Sequence, residues 1–245
     1  MSTNDVSILI PVYNAEKWIV PAAESLLKEF QSHPAVFEIL FCDDGSSDGS
    51  LDILLALARQ NSCVKVLRNK ENQGLGAAIR KLIRHAEADI VIYCDADLPF
   101  TARGVFRIYE EMQNADIVVG SRYAGEENHV PFLRKIFSRL YWCLSRILFN
   151  VIVRDIGSGT VAFKRQKVQS LMLESNGFDI HLELFAKAVR SGLVVKEIGL
   201  CSQKNNQGSF SIFKHGLQSF FDLIRWHRRL AAENSKNPNC QRGAG

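Results

Sequence analysis

Between Val6 and Arg122, short continuous apolar runs alternate with stretches whose apolar residues recur every three or four positions. The runs cover residues 6–11, 37–43, 64–69, 90–95 and 117–120. They are apolar at nearly every position rather than at every second one, which predicts strands of a mainly parallel sheet covered on both faces. Leu51, Leu54, Leu55 and Ala58 share one helical face, as do Leu75, Ala78, Ile79, Leu82, Ile83 and Ala86, so amphipathic helices are predicted between the strands. Ser46 to Asp48 supply N-cap candidates for the first of them. Strand–helix alternation of this kind builds an α/β fold with helices on both faces of the sheet.

After Arg122 the pattern changes. Residues 123–130 form a polar, Gly-containing loop, and residues 131–154 predict one long amphipathic helix. Its stripe is Leu133, Ile136, Phe137, Leu140, Tyr141, Leu144, Ile147, Leu148 and Val151. The segment carries Arg134, Lys135, Arg139, Arg146 and Arg154 and no acidic residue. A second basic helix is predicted where Phe213, Leu217, Phe220, Phe221 and Ile224 recur beside Lys214, Arg225, Arg228 and Arg229. Between the two lie predicted strands at 161–163 and 194–200 and helices around 166–173 and 181–191. The organisation expected is one domain over residues 1–230, in halves 6–122 and 123–230, followed by a polar, disordered tail at 231–245.

The 245 residues, 47% hydrophobic, suffice for one substantial core. A formal net charge of +4 gives no reason to expect nucleic acid as a partner; the placement of the basic residues matters more. Six cysteines, at 42, 63, 94, 143, 201 and 240, show no CxxC pair and no metal-ligand spacing. They read as reduced structural thiols, which favours a cytosolic location. The polar start, residues 1–5, leads directly into a strand, unlike a signal peptide. No apolar run is long enough for a membrane-spanning helix, so membrane contact is expected to be peripheral.

Chemistry is concentrated where two strands end. Phe41-Cys42 runs into Asp43-Asp44-Gly45-Ser46-Ser47-Asp48, and Tyr93-Cys94 runs into Asp95-Ala96-Asp97-Leu98. Open α/β sheets bind ligands at the carboxyl ends of their strands, and carboxylates gathered there call for a counter-ion or polar ligand. A divalent cation held by one or two carboxylates together with phosphate oxygens meets that need. Alone, the first stretch is a turn with an N-cap and the second a solvated loop. Their joint placement at successive strand ends argues for a metal-assisted nucleotide site.

Taken in order, Ile8-Leu9-Ile10-Pro11-Val12-Tyr13-Asn14, Asp43-Asp44-Gly45-Ser46, Asn72-Gln73-Gly74-Leu75-Gly76, Asp95-Ala96-Asp97-Leu98, Gly120-Ser121-Arg122-Tyr123 and Arg154-Asp155-Ile156-Gly157-Ser158-Gly159 resemble the family-2 glycosyltransferases. Within these the chain is similar to the dolichyl-phosphate mannose and glucose synthases, over residues 6–229. The resemblance implies a GT-A-type nucleotide-diphospho-sugar transferase fold and inverting transfer of mannose or glucose. The donor would be a GDP- or UDP-linked sugar, the acceptor a polyprenyl (dolichyl-type) phosphate, and the metal Mg²⁺ or Mn²⁺. It places Asp95 and Asp97, with Ala96 between them, at the metal and β-phosphate. Asp43 or Asp44 would meet the nucleoside, with Pro11 and Tyr13 lining its base and ribose. Gly74 and Gly76 would let the chain approach the donor at a helix start, where backbone N–H groups favour anions.

For the acceptor phosphate the candidates are Arg122, Arg134, Arg139 and Arg154, because guanidinium pairs bidentately with phosphate. Asp155 either orients an arginine or serves as a base. The basic amphipathic helices would rest on the cytosolic face of an anionic membrane, with a membrane-anchored subunit as a further partner. Two positions depart from the family pattern: Ala15 stands where many relatives have an acidic residue, and Pro99 where the mannose synthases have a Gln. Gly208 and Ser209 match a loop over the donor phosphates, with Lys204 and Lys214 its nearest cations. Trp18, Trp142 and Trp226 are interface-anchor candidates, Trp18 being equally a core candidate. The six histidines lack ligand spacing and read as surface or packing residues. Two rival readings stay open: a transferase acting on a saccharide or protein hydroxyl, and a non-catalytic membrane-associated homologue.

Overall fold

The computed structural model describes residues 4–125 and 130–202, together with Leu223 and Trp226. Seven strands, β1 (Val6–Val12), β2 (Phe37–Asp44), β3 (Val64–Asn69), β4 (Ile90–Cys94), β5 (Ile117–Ser121), β6 (Thr160–Lys164) and β7 (Val195–Gly199), form one sheet in the order β3-β2-β1-β4-β6-β5-β7. All neighbours are parallel except β6, which runs antiparallel to both β4 and β5. The expected mainly parallel sheet is therefore present, with one strand reversed.

The helices are α1 (Glu16–Gln31), α2 (Ser50–Gln60), α3 (Leu75–His85), α4 (Ala102–Glu110), α5 (Phe132–Phe149), α6 (Arg165–Ser170) and α7 (Ile180–Arg190). Residues that alternate along the strands serve opposite faces. Ile8, Ile10, Ile39, Phe41 and Ile92 pack with Leu26, Leu54 and Val105 of α1, α2 and α4. Leu9, Leu40, Val91 and Tyr93 pack with Leu82, Phe149, Val168 and Phe185 of α3, α5, α6 and α7. Burial on both faces explains the unbroken apolar runs. A polar exception, Glu38, is 1% exposed but accepts hydrogen bonds from Ser7 Oγ, Glu87 N and Lys65 Nζ, so its charge is matched below the sheet.

Two helix expectations need correction. The N-cap of α2 is Gly49, not a residue of 46–48; the Asp48 carboxylate instead accepts from Ser50 N and Glu16 N, tying the starts of α1 and α2 together. The helix expected over 131–154 stops at Phe149 because Asn150 adopts a left-handed conformation (φ 57°) and its N–H returns to Arg146 O. Beyond it come β-branched Val151, Ile152 and Val153, which disfavour helix continuation. The α5 stripe also divides. Tyr141, Leu144, Leu148 and Phe149 pack on the core, whereas Phe132, Leu133, Ile136, Leu140 and Ile147 are exposed. Among the tryptophans, Trp226 is not a surface anchor: it is buried edge-on against Phe149, with centroids 5.2 Å apart.

The chain builds outward from β1 to β2 to β3, then returns to lay β4 on the other side of β1. That reversal opens a crevice beyond the carboxyl ends of β1 and β4, where such sheets bind ligands.

Beneath this edge, His181 of α7 is buried against the Tyr93 ring, 5.2 Å between centroids. Its Nε2 has no hydrogen-bond partner among the described residues, and burial pulls its pKa down to about 4. Above pH ~6.5, the ordinary histidine value, neither state carries the proton. Between there and pH about 4 the unfolded chain takes up a proton that the folded chain refuses, so stability falls as pH falls. The expected loss is on the order of 3 kcal/mol. Urea unfolding of wild type and His181→Gln at pH 7.5 and pH 4.5 checks this: the variant should lack that part of the decline.

Candidate active site

At the β1 and β2 ends, the loops are zipped together by Asn14. It lies at φ 50°, a left-handed conformation that Asn tolerates better than most residues. Its N–H donates to Ser46 Oγ (3.0 Å) and its Oδ1 accepts from Ser47 N (2.8 Å). This frames a shelf of buried Pro11 and exposed Tyr13. Glu16, one position after the departing Ala15, accepts from Gly49 N at 2.9 Å.

The two adjacent aspartates have different surroundings. Asp44 is fully engaged, accepting from Asn69 Nδ2 (2.7 Å), Gln73 N (3.0 Å) and Gly74 N (2.8 Å). Asp43 is 1% exposed; its Oδ1 accepts a 3.3 Å bond from Ser46 N, and its Oδ2 has no partner among the described residues. Of the pair, Asp43 therefore retains an acceptor for a ligand.

Gly74 does something other than expected. Its N–H is already bonded to Asp44, and Gly76 N donates to Asn176 O (2.7 Å). At φ 94° a side chain on Gly74 would be strained and would strike the Asn176 carbonyl. Both glycines admit the backbone of residues 175–176 to the start of α3, and the anion at that helix end is the chain's own Asp44. Glu183, buried on α7, accepts from Glu174 N and Ser175 N and so fixes this incoming segment.

Asp95, Ala96 and Asp97 leave β4 in a tight turn: Asp95 N donates to Gly159 O (2.8 Å), Leu98 N to Asp95 O (3.0 Å), and Leu98 sits at φ 44°. All three residues are partly buried. The Tyr93 hydroxyl donates to Asp95 Oδ1. Burial, then the neighbouring Asp97 charge, pushes the Asp95 carboxyl up to about 7, and burial raises Asp97 too. Two hard carboxylates carrying this penalty are a donor set that a divalent cation relieves. Among the described residues no group of three or more His, Cys, Asp or Glu could enclose a metal. The protein thus offers two carboxylates, and phosphate oxygens would complete the shell, in keeping with how Mg²⁺ is held in nucleotide sites. Pro99 supplies no ligand; its ring packs close to Gly159.

The four candidate arginines fall into two groups. The Arg122 side chain, 9% exposed, forks onto Asp155: Nε to Oδ2 and Nη2 to Oδ1, both 2.9 Å, with Arg122 N also on Oδ2. Burial is the largest single influence on Arg122 and lowers its pKa; the Asp155 charge and hydrogen bonds, with the charges of Tyr123 and Asp95, together outweigh it and raise it. Asp155 N is in turn held by Glu197 Oε1 at 3.0 Å. Arg134 is lowered by burial and by Arg122, and it feels the Asp155 and Asp97 charges. Arg122 and Arg134 thus belong with the carboxylate turn. Arg139 and Arg154 are exposed and line a cavity of about 440 Å³ with Tyr123, Lys135, Ser138 and Trp142; Tyr123 and Arg154 directly adjoin Arg122 and Asp155 in the chain. The Trp142 indole N–H, buried there, has no partner among the described residues.

Tyr93 and Glu183 belong to none of the motifs that mark the site. Glu197 falls with Gly192 and Ile198 in the order of the resemblance but carries no assigned role there; the structure gives it one, holding Asp155 N. Tyr93 is nonetheless detectable, since two residues apart on a strand means the same face as Asp95; the two glutamates act across loops that no local spacing connects. Gly208, Ser209, Lys204, Lys214, most of the second basic helix and the tail lie outside the described residues.

Residues 7–171 match the model of glycosyl transferase family 2. The chain belongs to this family. Over 92% of its length it is 27% identical to the dolichol-phosphate mannosyltransferase of Pyrococcus furiosus, of which it covers 65%. It is 28% identical over 75% of its length to the Saccharomyces cerevisiae dolichol-phosphate mannosyltransferase, of which it covers 70%. Among solved structures, this family 2 chain superposes with a TM-score of 0.70 on glucosyl-3-phosphoglycerate synthase from Mycobacterium tuberculosis in complex with Mn²⁺, UDP-glucose and phosphoglyceric acid. That match covers 92% of this chain and 80% of the other at 17% identity, which shows the GT-A fold.

Proposed function

We propose that this family 2 chain transfers a hexose, mannose or glucose, from a GDP- or UDP-linked donor to a polyprenyl phosphate at a membrane surface, with Mg²⁺ or Mn²⁺. The observation that carries this reading is the carboxylate turn of Asp95 and Asp97 facing Arg122 and Arg134, with the Arg139–Arg154 cavity beside it. When bound, the metal neutralises the donor diphosphate and the charge growing on the leaving nucleotide. Asp43, whose buried Oδ2 lacks a partner among the described residues, is the carboxylate of the pair assigned to the nucleoside, and Tyr13 gives the nucleoside a flat neighbour. The names of the relatives, dolichol-phosphate mannosyltransferases and an undecaprenyl-phosphate sugar transferase, and the Mn²⁺ in the structural neighbour support the same assignment.

The acceptor chemistry favours phosphate over a hydroxyl. A phosphate monoester has a second pKa of about 6 and attacks as an anion, so it needs cations rather than a base. Lys135, Arg139 and Arg154 supply them, while Asp155, the carboxylate a hydroxyl acceptor would need, is committed to Arg122. Incubating the chain with radiolabelled GDP-mannose, GDP-glucose or UDP-glucose, Mn²⁺ and dolichyl or undecaprenyl phosphate should give metal-dependent, organic-extractable label. No such product with any donor would overturn the reading.

The membrane arm rests on α5. Its Phe132, Leu133, Ile136, Leu140 and Ile147 are exposed beside Lys135, Arg139 and Arg146, the composition of an interfacial helix. Among the described residues no helix is long and apolar enough to cross a membrane. Ile136→Asp with Leu140→Asp should abolish flotation with phosphatidylserine vesicles. The melting temperature should hold, because both side chains are about half exposed (47% and 50%).

A further inference from the structure

We infer that Tyr93 is a positioning residue for the divalent metal: its hydroxyl fixes one oxygen of Asp95 so that the other is presented in a single direction. Tyr93 is 2% exposed on the α3/α7 face of the sheet. A buried tyrosine hydroxyl usually finds a hydrogen-bond partner, and here it donates to Asp95 Oδ1. The other oxygen, Asp95 Oδ2, faces Gly159, where any Cβ would collide with it. At φ 72° Gly159 also occupies a conformation that side chains resist, and its carbonyl holds Asp95 N at 2.8 Å. Below, the His181 ring supports the Tyr93 ring and limits its movement.

Asp95 is therefore held at its backbone by Gly159 and at Oδ1 by Tyr93, leaving Oδ2 as the oxygen available to an ion. Asp97, whose side chain has neither restraint among these contacts, supplies the adaptable ligand. Removing a group that orients a metal-binding side chain typically weakens metal binding 10–100-fold, and Tyr93→Phe removes the hydroxyl while keeping the ring on His181.

The inference rests on the metal-assisted reading of the site. It is tested on the full chain by titrating Mn²⁺ in the presence of UDP or GDP, with free Mn²⁺ read by electron paramagnetic resonance. The variants are Tyr93→Phe, Asp95→Asn and the double variant, with Tyr93→Met as a second hydroxyl-free form if the first folds poorly. Tyr93→Phe should weaken Mn²⁺ binding about 10-fold or more, leave metal-free nucleotide binding unchanged, and add almost nothing in the Asp95→Asn background. Wild-type Mn²⁺ affinity in Tyr93→Phe, or an equal loss with Asn at position 95, would overturn the inference alone. Absence of Mn²⁺ binding by wild type with either nucleotide would overturn both it and the metal reading.

Discussion

Asp97→Ala should lower sugar transfer at least 100-fold and remove its dependence on Mn²⁺, while the protein melts no lower than wild type. Lewis-acid stabilisation of a leaving diphosphate is worth several kcal/mol, and each ~1.4 kcal/mol is a factor of ten in rate. Losing the adaptable one of two carboxylates removes most of that stabilisation even if Asp95 keeps a weakly held ion. The stability half of the prediction has its own cause. Burial raises the Asp97 carboxyl above its ordinary pKa, so the folded chain bears an uncompensated penalty there, and alanine relieves it. A structural acid would behave oppositely, its loss lowering the melting point and leaving metal dependence intact. Initial rates against Mn²⁺ concentration, with a thermal melt of the same preparation, separate the cases. A Mn²⁺-stimulated rate within tenfold of wild type would remove Asp97 from the metal. Asp97→Asn, which keeps an oxygen of lower charge, should fall between wild type and alanine.

What is legible in the amino-acid sequence divides along physical lines. Apolar runs report burial on two faces, so β1 to β5 are readable to within a residue or so. The reversed direction of β6 is not, because a five-residue strand carries the same pattern in either direction. The end of α5 is hidden because Val151 continues the helical spacing, and the break is marked only by Asn150 and the β-branched run after it. At the site, motif positions locate the right loops but not the division of labour inside them. Asp43 and Asp44 are indistinguishable in sequence, yet one is tied to Gln73, Gly74 and Asn69 while the other keeps a free oxygen. Gly74 and Gly76 look like a phosphate cradle because phosphate cradles and close backbone crossings both demand glycine. The segment that fills the space, residues 175–176, lies about a hundred positions away, beyond any local pattern. Likewise, the four arginines read as equivalent phosphate-clamp candidates, and nothing in their spacing says that Arg122 is held by Asp155 while Arg139 and Arg154 line a cavity.

The Arg122–Asp155 pair carries the second large effect. Either Arg122→Ala or Asp155→Ala leaves a buried charge without its partner, which typically costs about 3–5 kcal/mol. At roughly 2–4 °C per kcal/mol for a chain of this size, melting should fall by on the order of 10 °C. The double replacement Arg122→Met with Asp155→Leu should be markedly more stable than either single change, because the charge penalty disappears with both groups. None of the three should retain more than a few per cent of transfer, since the fork faces the carboxylate turn. Asp155→Asn is the discriminating variant. If Asp155 were the base for a hydroxyl acceptor, the amide would abolish transfer outright, because it cannot take up the proton. If Asp155 instead holds Arg122 beside the phosphates, the amide keeps one acceptor and loses the other, so the charged fork becomes a single neutral contact. Melting should then drop by several degrees, transfer should fall only partially, and the rate should show no new dependence on a basic group between pH 6 and 8. Arg122→Lys should look similar, because an ammonium keeps the charge but loses the bidentate geometry. Complete loss of transfer in Asp155→Asn while Arg122→Lys stays partly active would move the acceptor from phosphate to hydroxyl.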